Sequence, residues 1–412
     1  MRGRRLYLIH AFVPYTFMKV LIAGAGIGGL TAALACAQFG HEVVLFERAD
    51  ALTEVGAGIQ VPPNAMKVFA ALGLADDIAA NAFRPEAIEA RMGETGRTLF
   101  TIPLADHAVR VWGAPYLHIH RADYIAALAN ALELRCPGTV RLGTGVSAYR
   151  NTGAGVEVTL SNGEIYNGDI LIGADGIHSA VRAQMQGADA PVFTGNVAWR
   201  AVVPMDALGP KAPNPTACAW MGPGRHAVTY RLRRGTLANF VGVVERNDWT
   251  REGWSERGDI AEARQDFAGW HPTITAILDA VPDGRLYRWA LFDRAPLSRW
   301  SDTHVTLLGD AAHPMLPFLA QGAAMAVEDA WVLARALSGV ATVPEALQAY
   351  QAQRSPRTTR AQAGSRANMG TFHQRTSVGR AKTYGPMWLA GRVAPALVHR
   401  RMDWLYGHDV TA

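Results

Sequence analysis

Three long apolar runs that end in glycine punctuate the chain: KVLIAGAG (19–26), LIGADG (171–176) and VTLLGDAAH (305–313). None alternates with polar residues, as a strand buried on both faces requires. The first leads into GLTAALACAQFG (29–40), a helix with Gly40 as its stop, and then into HEVVLFE (41–47), a second strand. Helical periodicity returns at 64–72, 122–134 and 323–337, and continues from Val343 to the end. VEVTL (156–160), VAWRAVV (197–203), HAVTYRL (226–232) and TLANFVGVV (236–244) alternate with a period of two and predict antiparallel strands. They concentrate in a block from about 186 to 290, which reads as a β-rich domain inserted into an α/β one. No internal repeat or low-complexity tract interrupts this order.

Composition narrows the class. With 49% apolar and 18% charged residues among 412, the chain is neither disordered nor fibrous, and its length suits two or three domains. Three widely spaced cysteines, Cys36, Cys136 and Cys218, cannot form a disulfide framework, which predicts a cytoplasmic protein. The net charge of +5 is uneven, since residues 346–412 hold ten Lys/Arg against two Asp/Glu. No aromatic-interleaved basic run accompanies that tail, so it reads as a solvated helical face, not a nucleic-acid surface. Residues 1–17, with three arginines before an apolar stretch, lack a small-residue cleavage site and read as an appendage before a start-like Met18. Val20–Ala37 has no charge over eighteen residues, yet its glycine spacing argues against a membrane span.

That spacing is Gly24-x-Gly26-x-x-Gly29, between a strand and a helix. The first glycine permits a tight turn, the second lets a pyrophosphate approach, and the third lets helix and strand pack closely. Phosphates then meet free N–H groups at a helix N-terminus. Glu47, eighteen residues after Gly29, stands where a carboxylate accepts ribose hydroxyls. This pattern alone leaves NAD and FAD both open. Asp310 closes a buried strand, where open α/β sheets bind ligands, and a helix beginning near Gly322 points its positive end into the same crevice. A polyol-bearing cofactor would use such an acceptor for its hydroxyls, and a flavin such a dipole beside its pyrimidine edge.

At these three motifs (GAGIGG, GADGIHSAVR and GDAAHPMLPFLAQGAAMAVEDA) the chain resembles the single-component FAD-dependent aromatic hydroxylases, over nearly all of 18–412. EVGAGIQVPPNA (54–65), VAWRAVVP and DWLYGHD (403–409) are similar to the branch holding salicylate hydroxylase, 3-hydroxybenzoate 6-hydroxylase and 6-hydroxynicotinate 3-monooxygenase. The resemblance implies an α/β fold: a Rossmann-like FAD-binding domain of 18–85, 116–185 and 287–345, a β-rich substrate domain of 86–115 and 186–286, and C-terminal helices over 346–412. It further implies FAD held by Gly24, Gly26, Gly29, Glu47, Arg48, Arg121, Val146, Asp175, Asp310, Gly322 and Ala323. NADH or NADPH is a transient co-substrate, since no second complete GxGxxG exists. The implied reaction hydroxylates a small phenolic or heteroaromatic acid with O2 through a flavin C4a-hydroperoxide, in a cytoplasmic monomer or homodimer with no nucleic-acid partner and no integral membrane association.

The catalytic candidates come from both sources. On a strand, His226, Val228 and Tyr230 share one face, and Arg225 the other. A His and a Tyr together can hold a phenol and remove its proton. In the resembled family a His at 226 activates the phenol and a Tyr at 230 lines the pocket; the alternative is a structural His at a strand end. Pro317 falls where that family places a proline against the flavin, or is a plain helix-start residue. Gln60 stands where the hydroxynicotinate enzyme carries a His, and Pro317 where the 3-hydroxybenzoate enzyme carries a Gln, which leaves a salicylate-like acid as substrate. Arg200 can anchor its carboxylate, the alternative being an ion pair within the sheet. His313 reads as structural, and with neither HExxH nor CxxC present no metal site is expected. The competing activity on this fold is a flavin reductase or dehydrogenase that inserts no oxygen. A halogenase lacks its Trp-x-Trp-x-Ile motif here, and a flavin-binding redox sensor has only the basic tail in its favour.

Overall fold

The structure is a computed structural model that describes residues 17–52, 57–187, 190–246, 256–339 and 342–412. Residues 1–16 of the expected appendage and 54–56 of the EVGAGIQVPPNA segment lie outside the described residues. Five parallel strands form one sheet in the order Val305–Leu307, Ile170–Gly173, Lys19–Ala23, Glu42–Phe46, Val140–Arg141. Two of the glycine-ended runs are central strands, and the third, Val305–Leu307, is an edge strand. Val20, Leu21 and Ile22 are fully buried, as are Ile170, Leu171 and Ile172. At about 1.5–3 kcal/mol per buried aliphatic side chain, these strands anchor the domain. Helices Ile27–Gln38 and Gly322–Gly339 pack together against the sheet. The uncharged stretch 20–37 is thus a strand, a turn and a helix, and among the described residues no helix is long and apolar enough to cross a membrane.

The second sheet has seven strands in the order Tyr287–Asp293, Val192–Pro204, Leu237–Glu245, Arg225–Leu232, Ala217–Gly222, Ala87–Met92, Thr98–Pro103. All neighbours are antiparallel except Ala217–Gly222 with Ala87–Met92. One expectation is corrected here. The strand Tyr287–Asp293 falls inside the segment assigned to the cofactor domain, yet it pairs with Val192–Pro204. Its Trp289 and Leu291 bury themselves against Ala198 and Val243 of the second sheet, which fixes the pairing. The block from 186 to 290 also contains two helices that strand alternation did not predict, Ile260–Asp266 and Pro272–Asp279. They cover the sheet's outer face, where Trp199, Trp220 and Phe240 meet Phe267, Trp270 and Ile274.

The 30-residue helix Val343–Phe372 ties the two sheets together. Tyr350 Oη donates to Leu307 O in the first sheet, Gln362 to Pro314 O and Ser365 to Leu316 O, and Arg366 binds Asp293 in the second. Beyond it, helix Ser377–Val393 lies on Thr98–Pro103 and closes the far end of the second sheet's inner face with Tyr384 and Trp388.

Candidate active site

The glycine turn has the form a pyrophosphate requires. Gly24 has φ +97°, and a Cβ there would fall 2.6 Å from Ala174 O. A Cβ on Gly29 would fall 1.9 Å from Gly24 O, so helix and turn can meet only at glycine. At Gly26, the helix N-cap, a Cβ would meet no protein atom within 4 Å. Packing does not demand that glycine, and the position is open to a close-approaching ligand. Glu47 receives Ala25 N at 2.8 Å and Ala49 N at 2.9 Å, which holds its carboxylate beside the turn. Arg48 is exposed, with its Cβ 3.1 Å from the point where a Cβ on Gly145 would sit, so Arg48 and Val146 lie together at the same end of the groove.

Asp175 and Asp310 stand farther along. Asp175 Oδ2 accepts Val181 N at 3.2 Å, whereas its buried Oδ1 has no protein partner, and burial raises the carboxyl's pKa. Asp310 Oδ1 is 3.8 Å from the Cβ position of Gly322, at the start of helix Gly322–Gly339. Ala323 follows on that first turn, half-buried. Asp310 opens onto the crevice, yet the protein around it raises its pKa by desolvation, with His313 and Arg121 pulling it back down. Arg121 begins helix Arg121–Arg135, its N–H bonded to Ala57 O.

Asp310 and Pro317 line one cavity of about 370 Å³ with Ile177, Trp289, Leu291 and Leu316. Pro317 also opens a single 3₁₀ turn, as a helix-start proline does. The opposite wall belongs to the second sheet, and its register places the remaining candidates on the inner face. His226 pairs with Val243 and Val243 with Ala198; Val228 pairs with Val241 and Val241 with Arg200; Tyr230 pairs with Asn239. Arg225, on the outer face, bonds Asp266 O. Arg200 is buried with its guanidinium 4.1 Å from the Trp289 ring, a residue that lines the cavity; Arg200, His226 and Tyr230 do not themselves line it. Tyr230 is buried against Gly58 and the His118 ring at 4.7 Å, and burial raises its phenol pKa, against the Arg200 charge. Gln60 receives the Tyr116 hydroxyl on the neighbouring two-stranded ribbon. His118, buried in that ribbon, has its pKa pushed down to about 3 by desolvation. Among the described residues, no three His, Cys, Asp or Glu are grouped to hold a metal ion.

His226 is 2% exposed, between Phe318 and Phe372 at 5.1 Å each. Its Nδ1 lies 2.6 Å from His373 Nε2, and His373 Nδ1 lies 3.0 Å from Glu245 Oε1. Burial and the second imidazole hold its pKa well below the usual value. Neither His373 nor Glu245 stood out in the sequence; they lie 147 and 19 residues from His226 without a local pattern. A buried charge cluster was missed as well. Asp329 receives His313 Nε2 at 2.5 Å, Arg354 Nε at 2.7 Å and Gly309 N at 3.2 Å, and Glu328 pairs with Arg354 and Arg357. Burial opposes ionisation of Asp329, but His313 and Arg354 keep it ionised. The cluster braces the turn that carries Asp310. Its only trace in the sequence is two consecutive acids inside the otherwise apolar stretch 323–334.

The family model of the FAD-binding domain matches residues 17–365. The chain belongs to that family. It is 37% identical over 356 residues to 3-amino-4-hydroxybenzoate 2-monooxygenase PtmB3 of Streptomyces platensis, covering 86% of this chain and 88% of that one. It is 34% identical over 398 residues to 6-hydroxynicotinate 3-monooxygenase of Bordetella bronchiseptica, covering 96% of each. Among solved structures, a salicylate hydroxylase substrate complex superposes with a TM-score of 0.79 at 26% identity, over 96% of each chain. FAD is therefore the cofactor, and the resemblance read from the three motifs is confirmed at the level of fold and family. The orphaned Asp175 Oδ1 and the open approach at Gly26 are the features of this chain that fit it.

Proposed function

We propose that this chain hydroxylates a small phenolic or heteroaromatic acid of the salicylate type, using NAD(P)H and O2, as a cytoplasmic monomer or homodimer. The observation that carries the reading is the shared cavity: Asp310 and Pro317 form one wall, and Trp289, with Arg200 stacked on it, the other. FAD, when bound, would supply the oxygen activation. Gly24, Gly26, Gly29, Glu47 and Arg48, with Arg121 and Val146, would hold its dinucleotide part; Asp175, Asp310, Gly322 and Ala323 would hold the polyol and ring end.

The chain's own residues orient and ionise the substrate. Arg200, stacked on the cavity-lining Trp289, offers a planar, always-charged donor pair to the carboxylate. His226 accepts the phenol proton at Nε2, which no described protein group occupies, and the ring becomes electron-rich. Tyr230, on the same face, positions the hydroxyl. The apolar wall excludes water.

Turnover under labelled O2 tests the activity: label in the hydroxylated product is the expected result. NAD(P)H oxidation with an unlabelled product would instead mark a reductase or dehydrogenase.

A further inference from the structure

We propose that His373 and Glu245 form a proton relay that carries the substrate's proton from His226 to solvent and returns it to the product. This rests on the reading of His226 as the proton acceptor. The path begins in the interior at His226, runs 2.6 Å to His373 (4% exposed) and 3.0 Å to Glu245, whose side chain is 27% exposed. The other Glu245 oxygen binds Arg375, which is 70% exposed. Three groups thus span the distance from a buried ring to the surface.

With Glu245 ionised and both imidazoles neutral, one arrangement of protons satisfies every bond. The Glu245 carboxylate accepts from His373 Nδ1–H, and His373 Nε2 accepts from His226 Nδ1–H. His226 Nε2 is then left as an acceptor. When the substrate O–H breaks, a new N–H forms at His226 Nε2, and the His226 Nδ1 proton moves to His373 Nε2. The positive charge comes to rest on His373 beside Glu245, not on the more deeply buried His226. His373 Nδ1–H then passes its proton to Glu245 and water. The same bonds run backward when the product hydroxyl regains its proton, so the relay consumes none.

The surroundings explain why a second imidazole is needed. His226 faces Phe318, Phe372 and His373, and among the described residues no carboxylate is hydrogen-bonded to it. A lone imidazolium there would be a buried, unpaired charge. Burial lowers the His373 pKa too, but Glu245 opposes that shift. The titratable and charged groups packed around the path are His226 on its strand, Glu245 on the next, Arg375 beyond His373, and Tyr384, whose hydroxyl bonds Phe372 O. His373 and Glu245 act through His226 and are positioning residues.

A hydroxynitrobenzoate probe, coloured only when ionised, tests the relay without turnover. It is bound to the FAD-loaded protein and followed by pH-jump absorbance. His373→Gln should slow ionisation of the bound probe by about 10- to 100-fold, with FAD content and probe affinity retained and the rate rescued by added imidazole. Glu245→Gln should raise the bound probe's apparent pKa, and it decides the matter if His373→Gln does not fold. Wild-type rate and wild-type pKa in these variants would overturn the relay. His226→Gln separates the two ideas: if it too ionises the probe normally, the reading of His226 as base fails first.

Discussion

Arg354 Nε lies 2.7 Å from Asp329 Oδ1, with both side chains wholly buried. Through this pair the helix Val343–Phe372 holds the helix Gly322–Gly339, and Asp329 in turn holds Gly309 N and His313 beside Asp310. Removing one partner leaves a buried charge uncompensated. Arg354→Ala should cost about 3–5 kcal/mol of stability, read by urea unfolding of the FAD-free protein. FAD affinity should fall with it, because the Asp310 turn loses its brace.

The three glycines of the turn should separate under alanine substitution. Gly26→Ala adds a methyl where no protein atom lies within 4 Å, so the FAD-free protein should keep its stability within about 0.5 kcal/mol. Its FAD dissociation constant should rise at least tenfold. Gly29→Ala forces a Cβ to 1.9 Å from Gly24 O and should lower the melting temperature of the FAD-free protein as well. Fluorescence titration with FAD, beside thermal unfolding, distinguishes the two outcomes.

Arg200→Ala should raise KM for carboxylate-bearing phenols by about tenfold or more, and leave uncharged phenols nearly unchanged. Equal losses on both substrate classes would assign Arg200 to the sheet's architecture through its stacking on Trp289. Steady-state kinetics on a matched acid and phenol pair provide the measurement.

Asp310 has its pKa raised by desolvation, so the folded state without FAD holds that proton more tightly than the unfolded chain does. A raised acid pKa means that the unfolded chain ionises first. Stability therefore falls as pH rises from the unfolded value through the folded one, and the loss is complete above the latter. Asp310→Asn should accordingly raise the melting temperature of the FAD-free protein at neutral pH, with the gain vanishing in acid, while FAD binding weakens. Melting curves across pH on both proteins check the sign.

What the sequence disclosed and what it withheld follow from the range of the interactions. Gly24, Gly29 and Asp310 are legible because each rule acts within one strand–turn–helix unit, where a few consecutive residues carry it. The strand face shared by His226 and Tyr230 is equally local, since the pleat alone dictates it. His373, Asp329 and Arg354 were not legible: their partners lie on other elements, and a helix of mixed polarity gives no sign of which side meets a buried imidazole. The edge strand Tyr287–Asp293 was misassigned for a related reason. Its sheet is chosen by Trp289 and Leu291 packing on Ala198 and Val243, residues far away in the chain.

The pleat of the seven-stranded sheet divides its work between two faces. Trp199, Trp220 and Phe240 lock the outer side to helices Ile260–Asp266 and Pro272–Asp279, while Ala198, Val228 and Val241 point inward between the polar candidates. Because successive residues serve opposite faces, an inward side chain can change size without disturbing the outer interlock. Substrate range can then drift, or be redirected by a library restricted to alternate positions, while the scaffold keeps most of its folding energy out of reach of those changes.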